Sequence, residues 1–254
     1  FSDGGRYQDT HAALAHAERL LKEGAAILDL GGESTRPGAK VVPVDQELQR
    51  LLPVLKELVR WQVPISVDTY KPAVMQAVLD LGVDIINDIW ALRQPGAEAV
   101  VAGHPRCGVC LMHMHREPQS MQLQPLEGDV MALVEDFLAE RLVRLHSMGV
   151  DARRLLLDPG IGFGKTLAQN FRLLARQSDF LSLGRPILAG WSRKSSLGVV
   201  LLQEGQVSEA TERKTASVAA ALLAVERGAS VLRVHDVKDT VEALKVWQAV
   251  NDFA

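Results

Sequence analysis

Apolar runs recur along the chain, and each stops at residues suited to polar chemistry: Asp29, Asp68, Asn87, Met112 with His113, Asp158, the Ser192-Arg-Lys-Ser stretch, and Arg233 with His235. Burying a polar group costs about 1–3 kcal/mol unless it is hydrogen-bonded. Polar residues at nearly every such end therefore point to a ligand that satisfies several of them together. Their types say what kind. Asp68 and Asp158 accept, Asn87 donates and accepts, and Lys194 only donates. That set suits a flat heterocycle with amino, ring N–H and carbonyl edges. Arg233, His235, Ser34 and Arg36 form a second set suited to an anion, because arginine offers a planar fork to phosphate oxygens. A heterocycle beside an anion site is the arrangement for group transfer with a phosphate or pyrophosphate leaving group.

The densest of these stretches is Asp158-Pro-Gly-Ile-Gly-Phe-Gly-Lys, in which Gly160, Gly162 and Gly164 alternate with other residues. Pro159 ends any ladder pairing, and a loop with so few side chains lets backbone come close to a ligand. Taken alone, an Asp that simply caps the next segment is the commoner meaning. Gly164-Lys165-Thr166 imitates a phosphate-binding P-loop, but that motif needs glycine where Pro159 stands. Cys107 and Cys110, with His113 and His115 close behind, imitate a zinc or redox site. The segment reads as a strand, where residues three apart face opposite ways, so buried, unpaired thiols are expected.

The elements that must position these residues follow from periodicity. Strands are expected at residues 26–31, 64–68, 84–89, 107–113, 155–158, 186–190 and 231–235. Helices are expected at residues 10–24, 44–61, 71–81, around Ala97, 128–148, 170–181, 209–227 and 237–250. Residues 191–195 read as a loop. Strict strand–helix alternation means a parallel sheet. An α/β fold of the (β/α)₈ TIM-barrel type needs one more unit, and its first strand is expected to precede Phe1. A doubly wound open sheet is the rival; it would carry a glycine-rich nucleotide loop after its first strand, which the residues after Leu30 do not match. No linker or low-complexity tract divides the 254 residues, so a single domain is expected over the whole chain. The net charge of −3, without a Lys/Arg cluster, argues against nucleic acid as a partner. The longest apolar run, residues 218–225, is too short to span a bilayer. No signal peptide is recognisable, and a cytoplasmic location is expected.

Residues 1–5 (Phe-Ser-Asp-Gly-Gly), Gly31-Gly-Glu-Ser-Thr-Arg-Pro-Gly, Ser66-Val-Asp-Thr, Ile86-Asn-Asp, Asp158-Pro-Gly-Ile-Gly-Phe-Gly-Lys, Ser192-Arg-Lys-Ser and Arg233-Val-His together resemble the dihydropteroate synthase family, in family order along the whole chain. The resemblance implies a (β/α)₈ barrel of folate biosynthesis. Such an enzyme joins 6-hydroxymethyl-7,8-dihydropterin pyrophosphate to p-aminobenzoate, giving 7,8-dihydropteroate and pyrophosphate, with Mg²⁺. By motif, Asp68, Asn87, Asp158 and Lys194 would bind the pterin. Arg36, Arg233 and His235 would hold the pyrophosphate, and Thr35, Pro37, Phe163 and Ser195 would line the p-aminobenzoate pocket. Lys194, Arg233, His235 and Asp158 would carry catalysis. The implied mechanism is SN1-like, through a pterin cation, with residues 1–5 and 31–38 closing over the reactants.

Two positions depart from the family pattern. Trp191 and Ser196 stand where a small and a bulky apolar residue are expected, and Trp191 is expected to crowd the site and reshape the p-aminobenzoate pocket. Sulfonamides, which mimic p-aminobenzoate, are expected to bind. The Asn expected to help hold Mg²⁺ belongs to the strand before Phe1. Family members are usually homodimers, and the Ala-rich helix at residues 209–227 suits either a twin helix or its own barrel. Two rivals remain: a pterin-binding methyltransferase, which has no use for Arg36 or the Ser192-Arg-Lys-Ser loop, and a non-catalytic pterin-binding homologue.

Overall fold

Strands β1 (Leu28–Gly31), β2 (Ile65–Asp68), β3 (Ile85–Asp88), β4 (Gly108–Met112), β5 (Leu155–Asp158), β6 (Ile187–Ala189) and β7 (Ala229–Leu232) form one sheet. Each pairs in parallel with its neighbours in chain order. In this computed structural model the described residues are 9–36, 38–117, 120–121, 123–202 and 207–253. The helices are α1 (Thr10–Lys22), α2 (Val44–Leu58), α3 (Pro72–Leu81), α4 (Ala97–Gly103), α5 (Val130–Ser147), α6 (Leu167–Ala175), α7 (Ser195–Leu201), α8 (Lys214–Glu226) and α9 (Val237–Asp252). The central strands are buried on both faces, as parallel strands covered by helices must be. The sheet is curled. Arg233, just past β7, reaches Asp29 on β1 at 2.6 Å, so the C-terminal ends of the first and last strands come together.

The core is a continuous layer of Leu, Ile, Val and Met between strands and helices. Helix boundaries follow local chemistry. Asp9 and Asp129 cap α1 and α5 through backbone N–H groups. Thr166 and Gln169 form a reciprocal capping box at the start of α6.

Three expectations need correction. The helix expected at residues 170–181 is instead α6 followed by a 3₁₀ segment, Gln177–Leu183. The break comes where the buried Gln177 amide turns to donate to the Ala224 carbonyl at 2.8 Å, a tie to the end of α8. The loop expected at residues 191–195 passes straight into α7. Gly198 lies inside that helix for packing: a Cβ would lie 2.6 Å from Arg213 Nε. The last strand ends at Leu232 and not at His235, although the Arg233 N–H still bonds the Ala189 carbonyl at 3.1 Å. Cys107 and Cys110 are free and buried, as expected, and burial pushes both thiols up.

Candidate active site

The C-terminal ends of the strands surround a pocket. Asp68 closes β2, Asn87 lies one residue before the end of β3, Asp158 closes β5, Lys194 follows β6, and Arg233 follows β7; all five line it, with Thr35 from the loop after β1. Ile89, Met112, Ile161 and Phe163 give it an apolar wall. That wall continues outward into a separate cluster with Met114 and Met121, against which Tyr70 and Trp90 pack.

Asp158 is buried, and its Oδ1 accepts the Gly160 N–H at 2.7 Å. Burial raises its carboxyl above the usual range, against the pull of that backbone donor and of Lys194 and Lys165. Burial also raises Asp68, to about 6, against the attraction of Arg233. Lys194 extends over the Phe163 ring, with Nζ 4.4 Å from its centre. Burial lowers its ammonium to about 8, opposed by Asp158. Arg233 is clasped: Nε bonds Asp29 Oδ2 at 2.6 Å and Nη2 bonds Asp68 Oδ2 at 2.9 Å.

The glycine loop is built around a lysine whose ammonium burial lowers to about 7. Lys165 is buried, and its Nζ meets the carbonyls of Gly160 (2.8 Å), Phe163 (3.2 Å) and His113 (3.3 Å), and His113 Nδ1 (2.9 Å). Burial and that ammonium lower His113 to about 2, so its ring is neutral, while its edge packs on Phe137. His113 is thus an anchor for the loop, one residue past the pocket-lining Met112. Gly160 has φ of 72° and lies so close to the His113 carbonyl that a Cβ would come within 1.8 Å of its oxygen; only glycine fits. Lys165 is therefore a structural pin and not a phosphate ligand. A second pin is Asn170 on α6. Its Oδ1 accepts the Gly162 N–H at 2.8 Å and its Nδ2 donates to Ser196 Oγ at 3.0 Å, tying the loop to α7.

The residues that the motifs single out fall into three groups. Asp68, Asn87, Asp158, Lys194, Arg233, Thr35 and Phe163 share the pocket. His235, Arg36 and Ser195 lie outside its lining. His235 Nδ1 is 2.8 Å from Ser192 Oγ, which also accepts the His235 N–H. The Arg36 N–H points to Ser34 Oγ at 3.4 Å, and Ser195 is exposed at the first turn of α7. Pro37 and residues 1–5 lie outside the described residues. The Ser192-Arg-Lys-Ser stretch divides: Lys194 faces the pocket, while Arg193, at φ 58°, turns away to bond Asp236 at 2.7 Å. Ile89 and Ile161 were not foreseeable as lining, since an apolar residue after a strand carries no chemical signal. Asp29 was visible as a strand end, but its role as a clasp for Arg233 depends on a partner 204 residues away.

Trp191 does not crowd the pocket. It is buried in the main core with its ring 5.4 Å from that of Phe171 on α6. Its Nε1–H has no hydrogen-bond partner among the described residues. Trp191→Phe should therefore leave ligand affinity unchanged. It should shift stability by no more than about 1 kcal/mol, since lost volume and a relieved unpaired donor offset each other. Thermal denaturation with and without ligand checks both; a large loss of affinity would return Trp191 to the site.

Comparison with known proteins agrees with this geometry. The model of the pterin binding enzyme family matches residues 1–235. Dihydropteroate synthase of Neisseria meningitidis serogroup C is 47% identical over 254 residues, 99% of this chain and 88% of the relative. Among solved structures, Yersinia pestis dihydropteroate synthase with a sulfonamide drug complex superposes with a TM-score of 0.94 at 43% identity, covering 99% of this chain and 90% of the other. Burkholderia cenocepacia dihydropteroate synthase complexed with 7,8-dihydropteroate gives 0.89 at 53% identity, covering 96% and 88%. A match of this extent, on a chain whose strand ends meet in one pocket, places the protein in the dihydropteroate synthase family of pterin-binding enzymes.

Proposed function

We propose that this chain condenses 6-hydroxymethyl-7,8-dihydropterin pyrophosphate with p-aminobenzoate, releasing 7,8-dihydropteroate and pyrophosphate. The observation that carries the reading is the convergence of Asp158, Asn87, Asp68 and Lys194 on one pocket with Arg233 beside them. Asp158 Oδ2 is left by the Gly160 bond to accept from the pterin's 2-amino and ring N–H edge. Asn87 and Asp68 take further ring edges, and Lys194 donates to the carbonyl. Arg233 holds the leaving pyrophosphate, with Arg36 and His235 reaching it from the loops when these close. Thr35, Phe163, Pro37 and Ser195 form the p-aminobenzoate side.

Pyrophosphate leaves first, the dihydropterin ring spreads the resulting charge, and the aniline nitrogen attacks. Preorganised charges stabilise both separating ions, and the wall of Ile89, Met112, Ile161 and Phe163 keeps away water that would capture the cation. Sulfonamides occupy the p-aminobenzoate side in this reading.

Among the described residues β1 and β7 are the edges of the sheet, and they suit one further strand between them, closing a (β/α)₈ barrel as a single domain. Magnesium belongs to the reading as a partner of pyrophosphate. Among the described residues, however, no group of three His, Cys, Asp or Glu side chains could hold a metal ion. Asp29 and Asp68 are both taken by Arg233, so no step above uses a metal. Exposed Val200 and Leu201 on α7, Leu202 beyond it and Leu223 on α8 leave apolar surface that suits a homodimer. Among the described residues no helix is long and apolar enough to cross a membrane, in keeping with the cytoplasmic location proposed. The direct test is formation of dihydropteroate with equimolar pyrophosphate release. Pyrophosphate release that ignores p-aminobenzoate, or no product at all, would reject the reading.

The site charges set a pH window. Below about 6, Asp68 gains a proton, which turns one acceptor oxygen into a donor and loosens its hold on Arg233; above about 8, Lys194 loses its proton and its charge. The profile of kcat/KM should be a bell between these limits. Lys194→Ala should lower kcat/KM by about tenfold to a hundredfold, the worth of one charged hydrogen bond, and remove the alkaline limb while the fold survives. A folded variant with full activity, or with the limb still in place, would take Lys194 out of the site.

A further inference from the structure

The loop leaving β1 is fastened by charges that lie behind the pocket. Glu33 on that loop accepts from Lys71 Nζ, from the Tyr70 hydroxyl at 3.0 Å and from the Val42 N–H at 2.8 Å. Lys71 Nζ also bonds Glu47 Oε2 on α2. The three side chains are nearly closed to solvent: Glu47 is 1% exposed, Glu33 9% and Lys71 11%. The backbone of Lys71 is itself fixed. Its N–H bonds Thr69 Oγ1 at 3.3 Å, and the Thr69 N–H bonds the Asn87 carbonyl at 3.1 Å. At the start of the loop, Arg50 Nη1 donates to the Gly32 carbonyl at 2.8 Å. Gly32 lies against α2 so closely that a Cβ would come within 2.7 Å of Glu47 Cγ. Both ends of the segment bearing Ser34, Thr35 and Arg36 are thus bolted to α2 and to the end of β2.

Apolar side chains could fill this space without the desolvation cost of two carboxylates and an ammonium. What an ionic cluster adds is direction: each bond fixes where a particular atom sits. Asp68, Asn87 and Asp158 are held by the sheet ladders of β2, β3 and β5. Thr35 is the pocket-lining residue carried by the β1 loop, so its placement depends on the cluster.

We propose that Glu33, Lys71 and Glu47 are positioning residues for the p-aminobenzoate side of the pocket, setting the affinity for that substrate through the β1 loop and leaving pterin binding to the strand ends. The proposal rests on the synthase reading above. Lys71→Met removes the shared cation and leaves two carboxylates facing each other; Glu33→Gln is milder, keeping size and one acceptor. Both should raise KM for p-aminobenzoate by about tenfold, the usual scale for misplacing a group that touches substrate. Affinity for the free hydroxymethyl pterin, which contacts the strand ends and carries no pyrophosphate for Arg36 to reach, should be unchanged by calorimetry. Hydrogen exchange without ligands should show faster exchange at the Ser34, Thr35, Arg36 and Val42 amides and no change in β2 and β3. Lys71→Arg, which can still bridge two carboxylates, should restore most of the lost affinity.

Should Lys71→Met fail to fold, Glu33→Gln carries the same test. Equal losses for p-aminobenzoate and the free hydroxymethyl pterin would overturn the proposal, and so would unaltered exchange in residues 34–42 of a folded variant. If the unmodified protein made no dihydropteroate, the synthase reading would fall instead, and the exchange result would still show whether the cluster holds the loop.

Discussion

Asp158→Asn should cost the protein its pterin affinity, by about 2–5 kcal/mol. The carboxylate has two oxygens, and the loop already claims one: Oδ1 accepts the Gly160 N–H at 2.7 Å. An asparagine must keep its carbonyl oxygen on that backbone donor, because the donor is buried and has no other partner to turn to. Its amide nitrogen then faces the ligand's own N–H groups, donor against donor. The flipped rotamer is no better, since it breaks the Gly160 bond that shapes the turn. The fold should survive, because β5 is held by its ladders to β4 and β6 and by the core. Calorimetry with the pterin substrate decides the matter, and near-normal affinity in the folded variant would remove Asp158 from the pterin site.

Arg233→Ala should weaken the pyrophosphate substrate by about tenfold to a hundredfold more than the free hydroxymethyl pterin, one charge-assisted pair being worth about 1.5–3 kcal/mol. The structure adds a second effect. Arg233 neutralises Asp29 and Asp68, and its attraction is what limits the rise of Asp68 to about 6. Without it the Asp68 carboxyl rises further, so at neutral pH more of it is protonated and the free pterin also loses some affinity. Raising the pH of the assay should recover the second loss and leave the first. Equal losses for the two ligands at every pH would mean that Arg233 does not touch the anion.

Much of this site was legible because parallel strands buried on both faces tolerate polar residues only at their ends. Asp68, Asn87 and Asp158 interrupt apolar runs, and the alternation of runs with helical stretches says that those ends lie on one side of a sheet. Direction was harder. Trp191 stands next to the pocket-lining Gly190, and nothing in its neighbours says that its ring turns to Phe171. Arg193 and Lys194 are adjacent cations of the same motif, yet one bonds Asp236 and the other faces the ligand space. Such choices are made by partners far off in sequence: Asp236 is 43 positions from Arg193, and Lys71 finds Glu33 across 38. Lys165 shows the same limit. Its place after three glycines suggests a phosphate loop, and only the surrounding carbonyls show that it is spent holding the turn itself.

The clasp on Arg233 also bears on competition among small ions. A bare guanidinium in a cleft would collect chloride or orthophosphate from the medium. Seated between Asp29 and Asp68, it has its charge already balanced by two carboxylates, and a simple ion that meets only the remaining N–H groups gains little. A pyrophosphate ester brings several oxygens at once and is delivered by a ring already anchored elsewhere. Selection among anions is then made by what is attached to them. Ordinary salts should be poor inhibitors, and product pyrophosphate, once cut from its ring, should be weakly held.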